Sequence, residues 1–229
     1  MNPRTSVLIS ILGVCALLPR VTVAEVLDRI VARVNGHIIL ESDWEDEQRF
    51  EAFMNGRPLA ELSAADGDAA LHHLVDQELL EEQMRSADFK RASEEEISQR
   101  IAELRKQYPE AQEEPGWNRL LASYGFTAEE LKRRLALELD VARLIEARLR
   151  PSVTIDQEAI ANYYNHELLP RLHNSGAKEV SLDEASAGIK QVLAEQKLNE
   201  LLVAWLDTLR SGSEIHTQTS SLDLRNGSP

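Results

Sequence analysis

Histidines and carboxylates, the side chains that most often bind metals or transfer protons, are numerous in this sequence but do not show a catalytic spacing. There are six His and 39 Asp and Glu residues. No two His stand four apart on an apolar helix face beside a carboxylate base, as a zinc protease requires. The neighbours His72 and His73 would point about 100° apart on a helix, so they cannot easily chelate one ion together. The sequence therefore predicts no metal site, and these His are interpreted as ordinary surface or partly buried side chains.

Other catalytic motifs are also missing from the sequence. It contains no Gly-rich phosphate loop and no Gly-x-Ser-x-Gly nucleophile elbow. With 39 acids, pairs of carboxylates are too common to identify an acid–base pair. Runs such as Glu94-Glu95-Glu96 fall in the first turn of a predicted helix, where solvated carboxylates interact favourably with the helix dipole. We therefore predict no catalytic residues and no cofactor.

The remaining candidate for function is apolar surface on the first predicted helix. Phe50, Phe53 and Met54 cluster on one helix face beside a predicted loop. Methionine is often found where a surface must accept varied partners. These three residues are the predicted peptide-binding residues. The alternative, which is the more common fate of such side chains, is that they pack against another helix.

Composition favours a helical protein and excludes a nucleic-acid partner. The formal net charge is −14, and the first 24 residues hold two Arg and no acid, which leaves −16 on the rest. Such a surface repels phosphate backbones, and no basic stripe offsets it. Only 5% of residues are aromatic, although 43% are hydrophobic, so the core must be mainly Leu, Ile, Val and Ala. Ten Gly and eight Pro are few for an all-β chain.

The N-terminus has the three parts of a secretory signal peptide. Arg4 precedes the apolar run Val7–Leu18, and the small-residue pattern Thr22-Val23-Ala24 follows. A run of this length is too short for the ~20 residues that span a bilayer, so no membrane span is expected after cleavage. We predict cleavage after Ala24, with residues 1–24 and Cys15 removed. A lipoprotein signal at Cys15 is the alternative, but apolar residues continue past the cysteine.

One strand element precedes a largely helical chain. The stretch Val26–Asp43 has β-branched apolar runs on both sides of Asn35-Gly36, which predicts a hairpin with a type I′ turn. Apolar periodicity then predicts helices at about 42–54, 69–87, 93–108, 117–124, 127–149, 154–164 and 181–210, and capping boxes are predicted to begin at Ser42, Ser93, Thr127 and Ser181, among others. A short strand is expected at 214–217. The segments 60–68 and 165–179 are predicted to be irregular connections, and 218–229 a flexible tail.

Several stretches, in this order, resemble the N-terminal chaperone domain of the SurA family of exported chaperones. They are VLDRIVARVNGHIILESDW at 26–44, ALHHLVDQELLEEQ at 70–83, SEEEISQRI at 93–101, YGFTAEELKRRL at 124–135, VTIDQEAIANYYN at 153–165, VSLDEASAGIKQVL at 180–193 and WLDTLRSGSEI at 205–215. The resemblance covers residues 25–217. It implies a mostly α, multi-helix chaperone domain whose small β element joins the N-terminal hairpin to the C-terminal strand.

One departure from the family limits what the resemblance implies. Where the family usually carries one or two parvulin prolyl isomerase domains, this chain has only residues 165–179. The resemblance therefore implies a periplasmic, ATP-independent chaperone for unfolded or outer-membrane protein clients, without isomerase activity. Two alternatives stay open. One is a structural or assembly subunit that holds a single dedicated partner, and the other is a degenerate prolyl isomerase.

Overall fold

The computed structural model describes residues 28–218. The predicted signal peptide at 1–24 lies outside these residues, as does the predicted tail apart from Gln218. Within the described range, no helix is both long enough and apolar enough to cross a membrane.

A three-stranded antiparallel sheet joins the two ends of the described chain. Strands β1 (Ile30–Val34) and β2 (His37–Leu40) form a hairpin, and β3 (Ile215–Thr217) pairs with the other edge of β1. The turn residues Asn35 and Gly36 have φ of 48° and 88°, the two positive values that a type I′ turn requires. The predicted hairpin and its pairing with a C-terminal strand are both confirmed.

Helices make up most of the rest, which confirms the predicted mostly α class. They are α1 (Glu41–Met54), α2 (Ala64–Ser86), α3 (Glu94–Arg105), α4 (Glu114–Ser123), α5 (Ala128–Leu149), α6 (Gln157–Tyr163), α7 (Leu169–Ser175) and α8 (Leu182–Ser211). A π-helical turn, Tyr164–Leu168, joins α6 to α7 without a break. Short 3₁₀ turns lie at Leu59–Glu61, Pro109–Ala111 and Arg150–Ser152.

Capping boxes set where most long helices begin. At α3, α5 and α8 the N-cap hydroxyl accepts from the amide three residues on, and the Glu there accepts from the N-cap amide, as predicted. Helix α2 begins at Ala64, five residues before its predicted start, because Ser63 and Asp66 form a box that the sequence interpretation missed. The box predicted at Ser42 is not formed. Asp43 instead accepts from the Leu40 amide at 2.9 Å.

The segment 165–179 is mostly helical, so the predicted irregular connection is wrong there. Tyr164 is buried, and its hydroxyl donates to the Val180 carbonyl at 2.7 Å, which ties this helix to the start of α8. Pro170 lies in the first turn of α7, directly after the π-helical turn. Helix α7 ends at Gly176, which has the left-handed φ of 67°.

Four apolar clusters hold the helices together. An aromatic cluster joins α1, α3, α4 and the start of α5. A second cluster lies beneath the sheet, and a third joins α2, α5 and α8. A smaller one lies between α6 and α8. Near the end of α8, Arg210 forms a two-bonded ion pair with Asp76 of α2, which fixes the position from which β3 returns to β1.

Candidate functional site

The candidate site is a groove of about 540 Å³ between α2, α5 and α8, with β2 and α1 at one end. Its apolar half is lined from all three helices. The α5 side chains recur every four residues and therefore lie on one face of that helix. Except for buried Leu80, these side chains are half-buried, so part of their apolar surface remains accessible. The larger aliphatic side chains that these three helices contribute include Leu80, Leu137, Val141, Ile145, Leu202 and Leu206.

Acidic side chains dominate the polar part of the groove. Among the described lining residues, Arg134 is the only Lys or Arg, and it stands against six acids. Some of these acids are paired: Asp76 binds Arg210, and Glu78 lies 3.1 Å from Arg85. The excess of negative charge favours ligands with cationic groups next to apolar ones. The acids are Asp43, Glu47, Asp76, Glu78, Glu81 and Glu138.

A buried carboxylate organises the polar end. The Glu47 side chain is 2% exposed, and its Oε2 accepts from Arg134 Nη1 at 2.6 Å. Its Oε1 lies 2.7 Å from His73 Nδ1, and the same nitrogen lies 3.2 Å from Glu51 Oε1. The Arg134 guanidinium also stacks over the ring of Phe50 at 4.9 Å. Glu47 and Glu51 are i and i+4 on α1, which places both carboxylates beside His73 of α2.

These contacts shift the pKa values of the groups in opposite directions. Burial alone would raise the pKa of Glu47, but the contact with His73 and the charges of His73 and Arg134 outweigh it and lower the pKa. The Glu47 carboxylate in turn raises the pKa of His73. Burial is the main reason why the pKa values of Glu51 and Glu138 are raised. The polar end therefore holds a stable negative charge on Glu47 and favours a cation beside it.

This polar end is also where a metal ion could bind. The donor atoms of Glu47, Glu51 and His73 all lie within 4.8 Å of one another. His72, the adjacent histidine, is not part of this group. The sequence interpretation looked for two His beside a carboxylate base, so it missed a group made from two carboxylates of one helix and one His of the next.

The structure places only one of the three predicted peptide-binding residues at the groove. Phe50 reaches the groove lining but is 4% exposed. Phe53 is 0% exposed in the aromatic cluster, and Met54 packs half-buried against that cluster. The three side chains therefore pack against neighbouring elements, which is the alternative interpretation given in the sequence analysis. An unfolded chain could reach Phe53 only if the surrounding helices separated, and peptide binding by these residues stays a prediction.

Sequence reasoning missed the groove because its lining comes from five separate elements. A signal was present in α5, where Leu137, Val141 and Ile145 form a stripe that is distinct from the buried Leu131 and Leu135. The local sequence does not distinguish this stripe from a stripe of core residues, because the exposure of its side chains depends on the distance of α8 from α2 and α5.

The fold is similar to that of known chaperones. A structural comparison finds a solved structure from Campylobacter jejuni with a TM-score of 0.52 and 11% sequence identity, over 84% of this chain and 100% of that chain. The description of that structure names the virulence factor PEB4 and the periplasmic protein Cj1289 as two structurally related SurA-like chaperones. No family model and no curated protein matches this chain. At this identity the likeness establishes a SurA-like fold.

Proposed function

We propose that this protein is an exported, periplasmic, ATP-independent chaperone that binds unfolded polypeptides, including outer-membrane proteins, in the groove between α2, α5 and α8. The observation that carries the proposal is the accessible aliphatic lining of that groove. The SurA-like fold supports it, because the similar Campylobacter jejuni proteins are described as chaperones.

The groove suits weak and reversible binding of varied clients. Burial of apolar surface is non-directional, so aliphatic walls can accept many sequences without a fixed hydrogen-bonding pattern. The acidic rim favours segments in which Lys or Arg flanks apolar residues, and it disfavours acidic segments. A formal net charge of −16, which is −14 − 2 once the two Arg of residues 1–24 are removed, helps to keep a loaded complex soluble. Release then depends on the off-rate of the client and needs no nucleotide.

The proposal does not include prolyl isomerase activity. The segment where the SurA family carries a parvulin domain is here only residues 165–179. A proline-limited peptide assay should therefore give no rate above buffer, and a clear acceleration would contradict this part of the proposal.

The test is suppression of aggregation by groove variants. We expect Val141→Thr and Leu206→Gln to protect unfolded clients less than the wild type, because each makes the apolar wall polar at nearly constant size. The matched control is Val203→Thr, since Val203 is 58% exposed on α8 and does not line the groove. Light scattering by several unrelated unfolded proteins, one of them an outer-membrane protein, measures protection, and thermal unfolding verifies the fold.

Three outcomes separate the candidate functions. Reduced protection by the groove variants, with the control unchanged, supports the chaperone. Full protection by folded groove variants would place client binding elsewhere. A wild-type protein that protects no client but co-purifies with one partner would instead identify a dedicated assembly subunit.

A further inference from the structure

We propose that Glu47, Glu51 and His73 form a binding site for a divalent transition-metal cation such as Zn²⁺ at the polar end of the groove. The site needs one monodentate oxygen from each carboxylate and the Nδ1 of His73. It does not depend on the chaperone proposal, because metal binding can be measured without any client.

The three donor atoms lie within 4.8 Å of one another, and two of the distances between them lie within about 0.7 Å of those in a small metal centre. In a tetrahedral Zn²⁺ site with ligand distances of about 2.0–2.2 Å, neighbouring ligand atoms are roughly 3.4 Å apart. The distance from His73 Nδ1 to Glu51 Oε1 is 3.2 Å. The distance from His73 Nδ1 to Glu47 Oε1 is 2.7 Å, so that pair would need to open by roughly 0.7 Å.

A buried carboxylate oxygen whose contact with its neighbour is poorly aligned is the second observation that points to a ligand. Glu47 Oε1 is buried and forms an ion-pair contact with His73 Nδ1 at 2.7 Å, but that contact is not a well-aligned hydrogen bond. The oxygen has no other hydrogen-bond partner among the described residues. Buried polar atoms are rarely left without a partner in native proteins, and the cost is larger for a charged group. A cation between these donors would satisfy that oxygen.

The surroundings orient the donors and leave a path for the ion. Arg134 holds Glu47 Oε2 at 2.6 Å, as an outer-shell partner does when it fixes a ligating carboxylate, and leaves Oε1 for the metal. The side chains of His73 and Glu51 are 50% and 30% exposed, so an ion can reach the donors from solvent. One imidazole and two carboxylates favour Zn²⁺ or Co²⁺ over Mg²⁺ and Ca²⁺, which prefer oxygen-only sites of higher coordination number.

The experiment is calorimetric titration of the chelator-treated protein with Zn²⁺. We expect one tight Zn²⁺ per wild-type chain. Outer-shell partners alone are worth 10–100-fold in metal affinity, so loss of a direct ligand in His73→Ala or Glu51→Gln should weaken binding by at least about 100-fold. His72→Ala is the matched control and should bind like the wild type, because the adjacent imidazole lies outside the cluster.

Co²⁺ spectroscopy gives a second measurement that needs no variant. An intense visible spectrum, characteristic of four- or five-coordinate Co²⁺, supports the site. The weak spectrum of octahedral aqueous Co²⁺ overturns it. Equal Zn²⁺ affinity in folded Glu51→Gln and wild-type protein also overturns it, as does an equal loss of affinity in His72→Ala.

Discussion

Replacing Phe53 with Ala separates a core role for this ring from a role in client binding. The ring is 0% exposed and lies 5.3 Å from the parallel ring of Tyr108, centroid to centroid. It also lies 5.9 Å from Trp117 and 5.4 Å from Tyr124. Truncating a buried Phe to Ala typically costs 3–5 kcal/mol, through lost burial and through the cavity that remains. Aromatic pairs add about 0.5–1.5 kcal/mol beyond their buried area, so we expect a loss of about 4 kcal/mol.

The assay is urea and thermal unfolding followed by far-ultraviolet circular dichroism. In a protein of 150–250 residues, each kcal/mol lowers Tm by about 2–4 °C, so Phe53→Ala should unfold about 8–16 °C below the wild type. Val203→Ala is the control, because this side chain is 58% exposed and its truncation should change stability by no more than about 0.5 kcal/mol. An unchanged Tm together with lost client protection would refute the core assignment and support the predicted peptide-binding role.

Two further predictions concern the sheet and a helix cap. Truncation after Gly212 removes β3, including Ile215, which packs on the cluster beneath the sheet. One apolar side chain and a few strand hydrogen bonds are worth about 2–4 kcal/mol, so the urea midpoint should fall, and an unchanged midpoint would contradict the role of β3. The pKa of Glu96 is lowered from 4.5 to about 2. The hydrogen bond from the Ser93 hydroxyl contributes most, followed by those from the Ser93 backbone amide and from Arg143. Because the pKa of Glu96 is lower in the folded protein than in the unfolded chain, the stabilisation by its carboxylate is complete above pH 4.5 and is lost as the pH falls towards 2. At neutral pH the wild-type protein should therefore unfold at a higher urea concentration than Glu96→Gln, and the difference between the two urea midpoints should disappear in acid. A gap that is constant with pH would be the contrary result.

Local chemistry explains what the sequence could predict. Asn35-Gly36 predicts its turn because both positions need positive φ, and the boxes at Ser93, Thr127 and Ser181 predict helix starts within one residue. The Ser63 box was missed because its partner is Asp66, which is shorter than the usual Glu or Gln. These features depend on residues no more than three positions apart.

Tertiary contacts explain what the sequence could not predict. Whether Phe53 is core or surface depends on rings more than fifty positions away, those of Tyr108, which follows α3, and Trp117 in α4. The helix at 165–175 has little apolar periodicity and contains Pro170, so its contacts with α8 could not be inferred locally. The groove and the Glu47–His73 contact likewise arise only when separate helices are placed side by side.

The pairing of β1 with β3 determines when the protein can finish folding during its biogenesis. Val34 and Ile215 are register partners, although they are 181 positions apart in the sequence. At about 5–20 residues per second, a ribosome needs roughly 9–36 s to make the stretch between them. During that time the open edge of β1 can pair with other chains. We therefore expect the sheet to close only after β3 has been synthesised, so that the nascent protein itself needs protection from aggregation.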